Sequence, residues 1–211
     1  LKKHQAQTLS RFEKAKYQMK MADIFVADGK FNQALINYSK IQRQIKNNVL
    51  SQEARFKVAK TSYYKGDFDW ALQQLKVLKT STSQLIANDA LNLHLLISDH
   101  INEDSLHVAL KKYSKADLLA FQNKNPEAIV LLDDILNNHP VNKIIDDVLF
   151  LQGKLLELQG NHNKAKRNYE RIINTLKESV FVDDALYKLA FLQLNVFNNT
   201  NKATEYFEAI L

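Results

Sequence analysis

The stretch Leu149–Ile172, LFLQGKLLELQGNHNKAKRNYERI, decides the fold. Leu149, Gly153 and Leu156 follow one another at helical spacing, and so do Ala165, Tyr169 and Ile172. Each series is one face of an α-helix. Gly160 stands between them, and glycine takes the left-handed conformation that ends a helix without steric cost. The stretch therefore reads as two helices joined by a tight turn, with a small residue, Gly153 or Ala165, on each apolar face. Small side chains on two antiparallel helices let their axes approach, and larger neighbours interdigitate around the contact.

The arrangement recurs along the chain. Gly29-Lys30-Phe31-Asn32-Gln33-Ala34 and Gly66-Asp67-Phe68-Asp69-Trp70-Ala71 repeat the turn and its closing alanine. Asn123 to Ala128 and Asn198 to Ala203 use asparagine instead, the residue that best tolerates the same conformation after glycine. Four places after each alanine comes Tyr38, Leu75, Leu132, Tyr169 or Phe207, and seven places after it Ile41, Leu78, Ile135, Ile172 or Ile210. Twelve or thirteen places before it sits Ala22, Ala59, Ala116, Gly153 or Ala190, at steps of 37, 57, 37 and 37. The long step holds one extra helix, with apolar Ala90, Leu91, Leu93, Leu95 and Leu96. The segment Ser105–Gln122 fits two roles, since Ala109 lies 38 places after Ala71 and Ala116 lies 12 before Ala128. The pattern predicts an all-α solenoid of about eleven antiparallel helices running through 1–211. Its pairs fall near 3–47, 51–80, 105–138, 142–176 and 180–211, with the extra helix at 83–101.

Composition agrees. Four glycines and two prolines in 211 residues are too few for the turns of a β-rich fold. Pro126 fits the start of a helix and Pro140 the residue after one ends, so neither is left for a loop with chemistry of its own. Cysteine is absent, which removes disulfides, thiolate zinc sites and cysteine nucleophiles. The longest apolar run, Ala128 to Leu132, is far short of the ~20 residues of a membrane span. The chain opens at Leu1 and closes within an apolar-periodic segment, so it reads as a piece of a longer protein. The net charge is +6, placed unevenly: residues 1–80 carry 16 Lys/Arg and 6 Asp/Glu, residues 81–211 carry 13 and 17.

A small residue, a twelve-residue step to alanine, an aromatic or leucine four later and a proline twelve later resembles the tetratricopeptide repeat. Gly153/Ala165 with Tyr169, and Ala116/Ala128 with Pro140, carry the likeness best. The beat is 37 residues rather than 34, and the early tryptophan of the first helix is missing. Asp183-Asp184-Ala185-Leu186-Tyr187-Lys188-Leu189-Ala190 and Lys164-Ala165-Lys166-Arg167-Asn168-Tyr169 resemble bacterial envelope proteins of the outer-membrane-assembly and Tol–Pal accessory type. The resemblance implies a right-handed superhelix whose first helices line a concave binding face. The narrower likeness implies an adaptor working outside the cytoplasmic membrane, with a cytoplasmic location as the alternative.

On that implied face, the residues three before each small position are Met19, Phe56, Tyr113, Phe150 and Tyr187. Those one after it are Asp23, Lys60, Asp117, Lys154 and Phe191. Aromatic anchors flanked by alternating charge suit an extended or helical peptide. Packing of the same rings between successive first helices, without contact to a ligand, is the commoner use of such residues. The lysine–asparagine–arginine clamp with which some family members grip a C-terminal carboxylate is not reproduced, since the matching surface offers Met19, Asp23 and Lys57.

Nothing in the sequence points to catalysis or to a cofactor. His94, His100, Glu103, Asp104 and His107 cluster near one turn, but spacings of 6 and 7 do not set ligands one helical turn apart, and solvated turn residues account for them. Asp146-Asp147 and Asp183-Asp184 fall in first helical turns, where negative charge meets the positive end of the helix dipole. Asp133-Asp134 lies mid-helix and reads as a solvated face. No nucleophile–base pair, phosphate loop or zinc-ligand spacing is present. The expected function is a non-catalytic scaffold for a protein or peptide. Nucleic-acid binding through the basic first 80 residues and a purely architectural spacer are the alternatives, and a cut end would favour end-to-end self-association.

Overall fold

The computed structural model describes residues 10–46, 48–80, 83–103, 106–141 and 143–210. Residues 3–9 (His4 among them), 47, Asp104, Ser105, Asn142 and Leu211, which enter the expected pairs or the histidine cluster, lie outside the described residues. Among the described residues there are eleven α-helices, one 3₁₀ turn (Val77–Thr80) and no strand. The chain divides into two compact units, Leu1–Asn102 and Glu103–Leu211. The first holds α1 (Arg11–Ala27), α2 (Phe31–Gln44), α3 (Val49–Lys65), α4 (Phe68–Lys76) and α5 (Gln84–His100). The second holds α6 (Val108–Phe121), α7 (Asn125–Asn138), α8 (Ile145–Leu158), α9 (His162–Thr175), α10 (Val182–Asn195) and α11 (Thr200–Glu208). Within each unit, every helix packs on the next one in sequence. No helix among the described residues is long and apolar enough to cross a membrane.

The turns between paired helices follow from one backbone requirement. Gly29, Gly66 and Gly160 have φ of 71°, 86° and 73°, and Asn123 and Asn198 have 59° and 52°. All five are left-handed, the conformation that the Cβ of most residues disfavours. In four turns the next amide donates to the carbonyl five residues back: Lys30 to Phe25 (2.8 Å), Asp67 to Ser62 (2.9 Å), Lys124 to Leu119 (2.8 Å) and Asn161 to Leu156 (2.8 Å). That bond satisfies a carbonyl which the ending helix leaves open. After α10 the amide of Asn199 reaches one residue further, to Gln193 (2.8 Å), which matches the thirteen-residue step from Ala190 to Ala203.

The small residues occupy the helix contacts. Ala22, Ala34, Ala59, Ala71, Ala116, Ala128, Ala165 and Ala190 are fully buried, and Gly153 and Ala203 are buried. A Cβ on Gly153 would fall 2.6 Å from the Tyr169 ring, so glycine is what lets α8 and α9 meet there. Tyr38, Leu75, Leu132 and Tyr169 are buried, as are Ile41, Leu78, Ile135 and Ile172. Phe207 and Ile210, at the same places in the last pair, stay partly exposed.

At the start of α1, Ser10 closes a capping box with Glu13. Other expectations are extended or corrected. Asp133 and Asp134 lie on a solvent-facing side of α7, as expected, and also reach neighbouring helices. Asp133 accepts from Gln152 of α8 (2.8 Å), and Asp134 pairs with Lys112 of α6 (2.5 Å), so α7 is tied to both neighbours. That lysine holds the Asp134 carboxyl below its usual range. His100 is not a solvated turn residue but is buried at the end of α5. The apolar run of α5 splits: Ile86, Ala90, Leu93 and Ile97 face inward, while Leu91 and Leu95 face out.

Candidate partner-binding faces

The first helices carry the candidate residues, and a repeated polar clamp fixes how much of each is available. In the first unit the Tyr38 hydroxyl of α2 donates to Asp23 of α1 (2.7 Å), and Lys57 of α3 donates to the same carboxylate oxygen (2.7 Å). In the second unit Tyr169 of α9 donates to Glu157 of α8, and Lys188 of α10 lies 3.3 Å from the same carboxylate. Each tyrosine stands four places after the closing alanine, and each lysine two places before the next small residue. The acid sits one place after the small residue as Asp23, or a helical turn further on as Glu157, where the longer side chain reaches back. Burial first, then the carboxylate bond, pushes both phenols far above their ordinary pKa. Asp23, a candidate groove residue, is therefore committed inside its own unit.

The ten candidates do not form one exposed row. Met19 and Tyr113 are buried, while Phe56, Lys60 and Asp117 are half-buried. Lys60 lies 5.0 and 5.1 Å over the rings of Tyr63 and Tyr64. Phe150 stacks on Phe181 (4.7 Å) at the mouth of α10 and also touches Tyr169 (5.9 Å). The position three before the small residue thus lies where the next first helix arrives. Lys154 is exposed and sits 5.7 Å over the Phe150 ring. Tyr187 and Phe191, in the last pair, are 51 % and 49 % exposed and stack at 6.3 Å, with Phe207 edge-on to Tyr187.

Two features lay outside the sequence reading. One is a cavity of about 450 Å³ between α1 and α3, floored by Met19 and Leu50, walled by Tyr17 and rimmed by Glu13, Lys16, Lys20 and Glu53. The other is the exposure of Phe121 and Leu158, at the ends of α6 and α8. Both had a signal. The core phase of α1 is Ala15, Met19, Ala22 and Val26, and Tyr17, Met21 and Ile24 are apolar residues out of that phase. Phe121 and Leu158 likewise lie five places after Ala116 and Gly153, one turn beyond Asp117 and Lys154.

Large apolar side chains reach solvent unequally. α1 exposes Phe12, Tyr17, Met21 and Ile24, α5 exposes Leu85, Leu91 and Leu95, and α10 exposes Tyr187, Phe191 and Leu194, while α3, α6 and α8 expose one each, Val49, Phe121 and Leu158. Among the described residues each second helix exposes at most one, namely Ile36, Trp70, Val130 or Phe207, and α9 exposes none. No group of three or more His, Asp or Glu among the described residues is arranged to hold a metal ion.

The tetratricopeptide repeat family model matches residues 147–179 and 184–211. Solved structures with a similar chain path include MamA 41-end from Desulfovibrio magneticus RS-1, at 16 % identity, covering 94 % of this chain and 93 % of that one, with a TM-score of 0.44. A crystal structure of MamA is similar at 17 % identity, covering 96 % and 94 %, with a TM-score of 0.45. No curated protein matches. In residues 147–179 and 184–211, the pairs α8–α9 and α10–α11 carry the sequence pattern of the tetratricopeptide repeat.

Proposed function

We propose that this chain is a non-catalytic scaffold that binds a segment of a partner protein on the outward faces of its first helices. The observation that carries the reading is the clustering of exposed apolar groups on two first helices, four on α1 and three on α10, beside three on the extra helix α5. Such exposed groups are expensive to leave in water and mark interaction surfaces when they cluster. The tetratricopeptide-repeat match over the last two pairs supports a protein partner. The envelope-like wording of Lys164–Tyr169 and Asp183–Ala190 supports an adaptor role in the bacterial envelope.

The test is selection of binders from a displayed library of random peptides on the whole chain. Tyr17→Ser, Phe121→Ser, Leu158→Ser and Phe191→Ser combined should weaken the recovered peptides at least about tenfold, the loss of one good anchor. Ile36→Ser, Trp70→Ser and Val130→Ser combined, on second helices, should leave them unchanged. Recovery of no binders, or sensitivity to the second set alone, contradicts the reading.

A further inference from the structure

α1 and the α10–α11 pair each leave bare a face that equivalent helices keep covered. Five places before the small residue, one before it and two after it, α10 has Ala185, Leu189 and Leu192, and α8 has Val148, Gln152 and Leu155. All six are buried, and so are the matching residues of α3. Each of these three helices follows an earlier pair and packs on its second helix. At the same places α1 has Tyr17, Met21 and Ile24, which are 65 %, 55 % and 61 % exposed. α6, the first helix to open the second unit, carries Lys111 and Lys115 there, both exposed. α1 thus keeps the apolar back of a helix that follows a pair, where α6 has lysines suited to water.

The opposite face is bare on α10–α11. Tyr187, Phe207 and Ile210 stand in the register of Phe150, Tyr169 and Ile172 in α8–α9. Phe181 of the arriving helix stacks on Phe150, and Tyr169 and Ile172 are fully buried. Tyr187 and Phe207 are exposed instead, and Ile210 is half-buried. Leu194, also exposed, takes the place at which Glu157 meets Lys188. Charge matches the two faces to each other. α1 carries Arg11, Lys14, Lys16 and Lys20 against Glu13 and Asp23. Tyr38 and Lys57 hold Asp23, and Glu13 offsets Lys16, so Arg11, Lys14 and Lys20 remain. α10 and α11 carry Asp183, Asp184, Glu205 and Glu208, all exposed, against Lys188 and Lys202. Lys188 is held by Glu157, which leaves these helices acidic. Like ends repel and unlike ends attract.

We propose that the chain associates with further copies of itself head to tail. Tyr17, Met21 and Ile24 on the back of α1 dock on Tyr187, Leu194 and Phe207 at the open end of another copy, much as α10 docks on α8–α9. The inference goes beyond the scaffold reading and does not depend on it. The contact joins unlike surfaces, so it repeats from copy to copy instead of closing as a symmetric pair. It differs from the junctions inside the chain in one respect. Lys20 is the counterpart of Lys57 and Lys188, two places before the small residue, but Phe207 and Leu194 replace the tyrosine and the acid those lysines meet. Its ammonium group has only exposed acids such as Glu205 and Glu208 to meet, and exposed pairs are weak and screened by salt. The association is therefore reversible and sensitive to ionic strength.

The experiment is sedimentation velocity on the whole chain at concentrations up to roughly 1 mM. Mass should rise with concentration and fall back as salt is added. Tyr17→Ser with Met21→Ser, at the head, should weaken association about tenfold or more, and so should Leu194→Ser with Phe207→Ser, at the tail. Mixed together, the two variants should form a species of twice the monomer mass and nothing larger, because one intact head and one intact tail remain. Lys14→Glu with Lys20→Glu should act like the head variant, and adding Glu205→Lys with Glu208→Lys to the same chain should restore association. Ile36→Ser with Trp70→Ser, on second helices, should change nothing. All these positions are exposed, so each variant should keep the helical circular dichroism of the parent. A mass that stays monomeric at every concentration overturns the proposal and leaves the scaffold reading to be judged by peptide recovery. Association that survives the head variant joins tail to tail and overturns it as well. So does a mixture of the two variants without the paired species, or a charge reversal without effect.

Discussion

Gly153 and Tyr169 show how much of this fold one residue holds. The ring of Tyr169 fills the place where a side chain would start at position 153. Gly153→Ala should therefore overpack the α8–α9 contact and lower stability by about 1–3 kcal/mol in urea unfolding. An unchanged midpoint would mean that the two helices can move apart freely. Tyr38 and Tyr169 make a second prediction through their hydroxyls. Both are buried and donate to carboxylates, so the folded chain keeps phenolic protons that the unfolded chain releases above about pH 10. With more protons on the folded state, stability falls as pH rises through that region, by about 1.4 kcal/mol per pH unit for each group. Below pH 10 the contribution is fully present. Tyr38→Phe with Tyr169→Phe should flatten the alkaline slope measured between pH 9 and 11. The small residues and the tyrosines were legible in the sequence because spacing alone set them apart. The carboxylates they bind were not, since Asp23 and Glu157 occupy different places in their repeats and only the reach of the side chain makes them equivalent.

At the scale of the element, the left-handed turns are the clearest case of sequence dictating geometry. Asn123 and Asn198 stand in φ-positive positions that glycine fills elsewhere. Asn123→Ala should cost about 1–2 kcal/mol, because a Cβ without a compensating polar group pays the full left-handed strain. Asn123→Gly should be close to neutral by the same thermal or urea measurement. An equal tolerance of alanine and glycine would show that the turn relaxes by another route. Helix count and order were readable from the small-residue beat. The inner and outer faces of α1 and α5 were harder to read, because Tyr17, Met21, Leu91 and Leu95 are apolar and yet point to solvent. A sequence shows that a residue is apolar; which phase of the helix is covered depends on the neighbour that arrives. Phe150, shielded by Phe181, and Tyr187, left open in the last pair, hold the same register and differ only in that respect.

For the whole molecule, the two compact units each contain buried small residues at their helix contacts and a core of their own. Residues 103–211 produced alone should keep helical circular dichroism and unfold in one cooperative urea transition, as expected for about a hundred residues around one core. A fragment without a transition would show that the second unit borrows its stability. The proposed binding faces belong to this scale as well, since within each unit they are built from first helices that come together only when that unit is folded. The most direct measurement is hydrogen–deuterium exchange of the whole chain with and without a peptide recovered from the library. Protection confined to first helices is the predicted result. Protection centred on α2, α4, α7, α9 or α11 would contradict the account.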